Sequence, residues 1–405
     1  MSKIESTAVF KKFYSTFLNA GSDKSDQGGR LHFAAHSHHY WPDVTRDAMI
    51  QYWEDSAKYC DDKWEYLFDK IIPKAQSHIA HILNLSNPNN IAFASSTHEL
   101  VMRLLSCFNP YDDLRILTTD SEFYSFARQA DRLDELDTVV VDRIPIEPFH
   151  DFEKRFSEAI SANGYHMIYL SHVFFNSGFR VRDLEDIVKC ASNSDTIFVI
   201  DGYHGFMAIP TSLRNIENRV FYVAGGYKYA QSGEGVCFMT VPADCNLRPI
   251  DTGWFSNFGM LAKEPSEGGR VEYPNDGFRF WGGTYDPTGI YRFNSVMDLM
   301  KSNNISVETI DRHVKQLQKH FIENLSELNL SILSTKDLIT PIDLTRAGHF
   351  LTFALPDAAK FVSSLKEKGV TVDFRGNRVR FGFGLYQDLD DVDRLLKIIR
   401  NLDLS

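Results

Sequence analysis

Apolar residues recur at two spacings along the chain. From about residue 43 to 85 they fall three and four positions apart (Met49, Tyr52, Trp53, Ala57, then Trp64, Leu67, Ile71), which is the repeat of a helix face. Beyond residue 90, short β-rich apolar runs alternate with helical stretches. The runs predict strands at 91–94, 115–118, 138–141, 167–170, 196–200, 220–223 and 236–240, with helices at 99–107, 123–134, 152–161 and 184–191. Such alternation predicts an α/β fold: a mostly parallel sheet covered on both faces. After residue 290 a long helical region is expected over 291–325. An α+β segment follows, with strands near 350–355 and 370–383 and helices near 357–368 and 388–401. The expected division is an N-terminal arm (1–42), a large α/β domain (43–290) and a smaller C-terminal α+β domain (291–405). The arm opens with a short amphipathic helix and passes into a polar stretch at 21–29.

Composition narrows the choice of partners. Against 54 acidic residues stand 43 basic ones, a net charge of −11, and no basic patch is interleaved with aromatics. Nucleic acid and anionic membrane surfaces are therefore poor candidates. No stretch of 18 apolar residues occurs, and the first residues lack a secretory pattern. Five scattered cysteines without CxxC spacing read as reduced thiols. A cytoplasmic protein is expected. His36, His38 and His39 crowd together, but no carboxylate or cysteine spacing completes a metal site, so no metal is expected.

Chemistry concentrates between residues 197 and 240. One apolar run ends at Asp201-Gly202-Tyr203-His204-Gly205, and the next leads into Gly225-Gly226-Tyr227-Lys228-Tyr229. Ligands of open α/β sheets bind beyond the carboxyl ends of the strands, so a carboxylate and a lysine placed this way can face one ligand. Taken alone, Asp201 reads as a helix cap and Lys228 as a solvated loop lysine. Together they supply what pyridoxal 5′-phosphate requires: an amine to form the imine and a carboxylate to keep the pyridine nitrogen protonated.

These segments resemble the aspartate and lysine motifs of class V pyridoxal-phosphate enzymes of fold type I, and the Tyr-Lys-Tyr form resembles kynureninases. That resemblance implies catalytic roles for Lys228, Asp201 and Tyr227. It also implies a phosphate-binding turn at Ser95-Ser96-Thr97, with Ser96 and Thr97 as contacts, although a plain helix cap is the alternative. Phe123 would stack on the cofactor ring or else serve as core, and His204 would contact the cofactor or merely pack. Trp254 of Gly253-Trp254-Phe255 would lie by the phosphate. Thr284 would reach the phosphate of a neighbouring subunit, which implies a homodimer with shared sites.

Arg380, in Arg-Phe-Gly-Phe, is the implied clamp for a substrate α-carboxylate, with Arg375 second and Arg378 on the same strand face as Arg380. Solvated edge-strand arginines are the alternative. His36 and Ser37 would line the substrate side. Three segments depart from the pattern: His36 replaces the family's asparagine, Phe175 stands where many relatives carry an amide, and Gly283-Thr284 stands where kynureninases carry an asparagine near the turn. The expected activity is hydrolytic Cβ–Cγ cleavage of L-kynurenine or 3-hydroxykynurenine. An aminotransferase or another lyase acting on a different amino acid is the alternative. A cysteine desulfurase is disfavoured because no cysteine follows Cys245.

Overall fold

The computed structural model describes residues 7–20, 30–109, 112–260 and 271–402. The polar stretch expected at 21–29 and the first six residues of the arm lie outside the described residues. Twelve strands are described: β1 (Leu31–His32), β2 (Ile91–Ala94), β3 (Leu114–Thr119), β4 (Val139–Ile144), β5 (Met167–Ser171), β6 (Ile197–Asp201), β7 (Val220–Gly225), β8 (Cys237–Thr240), β9 (Phe350–Ala354), β10 (Val370–Thr371), β11 (Asp373–Arg375) and β12 (Arg378–Gly382). Seven of them form one sheet in the order β2-β8-β7-β6-β5-β3-β4.

Strands β4, β3, β5, β6 and β7 run parallel, and β8 runs antiparallel to both of its neighbours. Every residue of β5 and β7 is buried, as is all of β6 except its terminal aspartate. Near-continuous apolar runs are what a sheet covered on both faces demands. The reversal at β8 has a local cause. Eleven residues join it to β7, too few for a crossover helix. They fold instead into a tight loop closed by Gly226 N–H to Val236 O and Ser232 N–H to Gly226 O, both 2.8 Å. That loop carries Lys228.

A second, antiparallel sheet has the order β11-β12-β9. It covers a separate apolar core of Phe321, Phe353, Phe361, Phe381 and Leu395. β1 pairs in parallel with β10, and Gly382 N–H donates to Phe33 O at 2.7 Å, so residues 31–36 are laid along this sheet. The helical region expected as one unit over 291–325 is two helices, Thr288–Ser302 and Val307–Leu328. The break falls at Asn304, whose φ is +54°, and Ser306 restarts the chain by accepting from Thr309 N–H. Ser-Asn-Asn-Ile-Ser supplies both the left-handed residue and the cap. Helix Thr288–Ser302 contributes Ile290, Phe293, Val296 and Met300 to the large core. No described helix is long and apolar enough to cross a membrane.

Ser171, Asp201 and Val223 stand side by side in register at the ends of β5, β6 and β7. Directly after Asp201, a Cβ on Gly202 would lie 1.9 Å from the fully buried Tyr222 ring. Gly202→Ala is expected to destabilise the fold by about 1–3 kcal/mol through overpacking. Urea unfolding measures this, and an unchanged midpoint would show that the ring has room to move.

Candidate active site

A cavity of about 270 Å³ opens at the carboxyl ends of β5, β6 and β7. Asp201 forms part of its wall. One carboxylate oxygen accepts from the Tyr203 N–H at 2.9 Å, and the other from the Tyr169 hydroxyl at 3.0 Å. The Tyr169 ring is fixed by stacking on Phe126, centroids 3.6 Å apart and nearly parallel. Burial raises the Asp201 carboxyl above the usual range, opposed by these hydrogen bonds and by the Lys228 charge.

Lys228 is buried, and its Nζ lies 3.0 Å from His204 Nε2. Three rings surround the amine, with centroids 4.7 Å (Tyr203), 5.3 Å (Phe123) and 5.7 Å (Tyr227) away. Burial pushes the amine down to about 7, with Asp201 opposing and Arg380 adding to the fall. His204 is held well below the ordinary imidazole value, first by burial and then by Lys228 and Arg380. In the tautomer of neutral His204 that carries its proton on Nδ1, Nε2 accepts and the lysine donates. Tyr227 is partly exposed, and burial pushes its hydroxyl up to about 12.

On another side of the cavity, Ser96 caps helix Thr97–Leu105 and accepts from Glu99 N–H at 3.2 Å. Ser95, Ser96, Thr97 and His98 all line the cavity, so the cap and the opening of the helix face the same space. Phe123 stands just before helix Tyr124–Asp134, edge-on to Phe175 at 5.4 Å. Both phenylalanines line the cavity.

The remaining expected residues lie farther out. Arg380 is buried on β12, with one terminal nitrogen 2.8 Å from Phe175 O and the other bonded to Asp373. Its guanidinium sits 5.9 Å above the Phe175 ring. His36 is buried, stacked on Phe350 at 4.7 Å, and neither ring nitrogen has a hydrogen-bond partner. Gly382 makes room for it, since a Cβ there would lie 2.2 Å from His36 Nδ1. Half-buried Ser37 takes part in a turn, its N–H donating to Ala34 O at 2.9 Å. Arg375 is exposed and bonded to Asp373, while Arg378 reaches Glu147 at 3.2 Å. Trp254 and Thr284 hydrogen-bond to each other at 3.1 Å, both exposed and outside the lining of this cavity. No group of three or more potential metal ligands converges among the described residues.

Sequence reading overlooked several neighbours of these groups. Tyr169 lies on β5 diagonal to Asp201, a tyrosine in an otherwise aliphatic run, and cross-strand geometry could have flagged it. Glu122, adjacent to Phe123, is buried and accepts from Thr119 Oγ1 at 2.9 Å and from Ser171 N–H at 3.2 Å. Burial pushes it up to about 8. Asp373 was passed over beside the arginines it binds.

The sequence profile of the family "Aminotransferase class-V" matches residues 41–395. The chain is 26% identical over 238 residues to a kynureninase from Pseudomonas fluorescens, covering 58% of this chain and 55% of that one. It is 26% identical over 255 residues to a probable cysteine desulfurase from Vibrio cholerae, covering 58% and 57%. The chain thus spans little more than half the length of these two relatives. A kynureninase from Deinococcus radiodurans is 22% identical over 353 residues, covering 85% and 80%. Among solved structures, a complex of a cystine C–S lyase with cysteine persulfide superposes with a TM-score of 0.78 at 16% identity, covering 92% of this chain and 98% of that one. The apo cysteine desulfurase of Thermococcus onnurineus NA1 gives 0.76 at 17%, covering 92% and 94%. Identities this low speak for the fold, which is that of type I pyridoxal-phosphate enzymes.

The donor set fits that cofactor. A lysine driven toward neutrality, a buried carboxylate, an aromatic face and a serine-capped helix start share one cavity. Only a neutral amine attacks an aldehyde, and the Lys228 pKa is depressed, so its reactive form appears above about pH 7. The rate at which apoprotein forms a borohydride-trapped adduct with pyridoxal phosphate should rise through a midpoint near 7, with peptide mapping placing the label on Lys228. A solvated lysine would give a midpoint above about 10.

Proposed function

The chain belongs to the class-V aminotransferase family of pyridoxal-phosphate enzymes, and from that premise we propose that it hydrolyses the Cβ–Cγ bond of L-kynurenine or 3-hydroxykynurenine. Substrate and one water give alanine and the corresponding anthranilate. The observation that carries this reading is the pairing of a near-neutral, buried Lys228 with a buried Arg380 guanidinium close enough to influence it. Two kynureninases among the relatives support it.

The bound cofactor supplies an electron sink for the substrate Cα. Arg380 presents a planar donor fork to the α-carboxylate. Lys228, uncharged, takes the Cα proton, and its hydrogen bond to His204 Nε2 aims the amine. Asp201, oriented by Tyr169 and the Tyr203 amide, would be the cofactor's carboxylate partner. Phe123 would supply an aromatic face to its ring, and Ser96 and Thr97, at the helix start, would hold its phosphate. Tyr227 keeps its proton at neutral pH and donates it as the carbon–carbon bond breaks. His36 and Ser37 line the substrate side, with exposed Arg375 a weaker contact than Arg380. Thr284, exposed and outside the cavity of one chain, would serve the phosphate of a second subunit in a homodimer, and Trp254, its hydrogen-bond partner, lies outside the same cavity instead of in the lining expected of a phosphate contact.

Sulfur abstraction fits less well, because it needs a reactive thiolate. Cys237 borders the cavity, but burial pushes its thiol up to about 11. The second reading, an aminotransferase or another lyase, draws on His36 and Gly283-Thr284, which depart from the residues expected by the resemblance.

Incubating holoprotein with L-kynurenine and with 3-hydroxykynurenine should release equal amounts of alanine and the aryl acid. An α-keto acid product would point to transamination, and sulfide from L-cysteine to desulfuration, and either in place of the aryl acid overturns the proposal. Arg380→Lys should lower kcat/KM by roughly 10- to 100-fold, the worth of about 1.5–3 kcal/mol for a charged hydrogen bond.

A further inference from the structure

Residues 373–380 form a hairpin whose charges share one face. Strand β11 pairs with β12 in the register Asp373↔Arg380, Phe374↔Val379 and Arg375↔Arg378. With a side-chain period of two, Asp373, Arg375, Arg378 and Arg380 all project to the same side. Phe374 and Val379 project to the other, into the small core. Three arginines on one face repel, and Arg375 stands directly opposite Arg378. Two carboxylates resolve the conflict. Glu147 takes Arg378 at 3.2 Å, while Asp373 serves the rest.

Asp373 is the hub. Its Oδ1 accepts from Arg375 at 2.9 Å, and its Oδ2 accepts from Arg380 and lies 3.8 Å from His36 Nε2. The residues expected on the substrate side, apart from Ser37, therefore converge on one carboxylate. Arg380 has a second anchor at the Phe175 carbonyl, 2.8 Å away. Two anchors on its two terminal nitrogens define the guanidinium plane, and each nitrogen keeps a further N–H to offer.

We propose that Asp373 is the positioning residue of the carboxylate-binding pole, orienting Arg380 for a bidentate hold on the α-carboxylate of an amino acid. This rests on the reading of Arg380 as that clamp. Positioning and plain electrostatics predict opposite signs. Removing a negative charge beside Arg380 strengthens the field on an incoming carboxylate, so a charge effect would tighten binding. Losing one of two anchors frees the guanidinium to rotate out of the plane that a bidentate hold needs, which weakens binding. At short range the directional term governs, because a bidentate pair depends on coplanar geometry.

The test titrates holoenzyme with L-alanine and with L-alaninamide, reading the cofactor absorption spectrum. Wild type should favour the acid over the amide. Asp373→Asn should weaken L-alanine binding at least tenfold and leave L-alaninamide within twofold, with cofactor content unchanged. Asp373→Glu should recover part of the loss. An acid-to-amide preference in Asp373→Asn within twofold of wild type, or tighter acid binding, overturns the proposal. So does failure of Asp373→Glu to recover any acid preference if Asp373→Asn fails to fold. Equal response of wild type to acid and amide instead removes the Arg380 reading on which the proposal rests.

Discussion

Taking the Lys228 ammonium out of water is the constraint around which the site is built. Burial penalises the charged form, and three aromatic rings flank the amine. The amine settles near neutrality, with one acceptor, His204 Nε2, and a carboxylate nearby to moderate the fall. An imidazole that were itself protonated could not accept from the lysine, and its own burial keeps it neutral. The same desolvation lifts Glu122 to about 8 and raises Asp201, where the hydrogen bonds from the Tyr203 amide and the Tyr169 hydroxyl oppose the rise. One physical effect thus sets the protonation of four groups.

That effect depends on backbone geometry. The lysine comes from the tight loop between β7 and β8, and the aspartate ends the neighbouring strand β6. Their juxtaposition follows from parallel register at the strand ends. Gly202 lets the chain turn away from Asp201 under the Tyr222 ring. The seven-stranded sheet builds the cavity, one pole of the proposed site, and the small antiparallel sheet carries the residues proposed for the other. Residues 31–36 bind the second pole together by lying along β10 and β12, and they bring His36 close to Asp373. The Phe175 carbonyl, just past β5, reaches Arg380 and ties the poles to each other.

Legibility in the sequence followed the range of the interactions. The strand from 91 to 94 was read to the residue, and the other main strands to within a few positions, because an apolar run in a doubly covered sheet carries its own signature. The helix boundary at Asn303–Ser306 was missed because periodic apolar residues continue on both sides, although the cap and the left-handed asparagine were present. Lys228, His204, Phe123 and Ser96 were found through local motifs and do share the cavity. Tyr169 and Glu122 were not, since Asp201 and Ser171, which bind them, are distant in sequence.

What the sequence determined alone was the alternation of elements, the order of the strands' chemistry and the amine–carboxylate pair at adjacent strand ends. These rest on periodicities of two and 3.6 and on turn residues, which act over a few positions. What only the tertiary structure decided was which charges meet. Asp373 reads as one more polar strand residue until the hairpin register sets it opposite Arg380 and the segment along β10 carries His36 to the same oxygen. Burial too is a property of the assembled fold, and burial is what turns an ordinary lysine into one poised near neutrality.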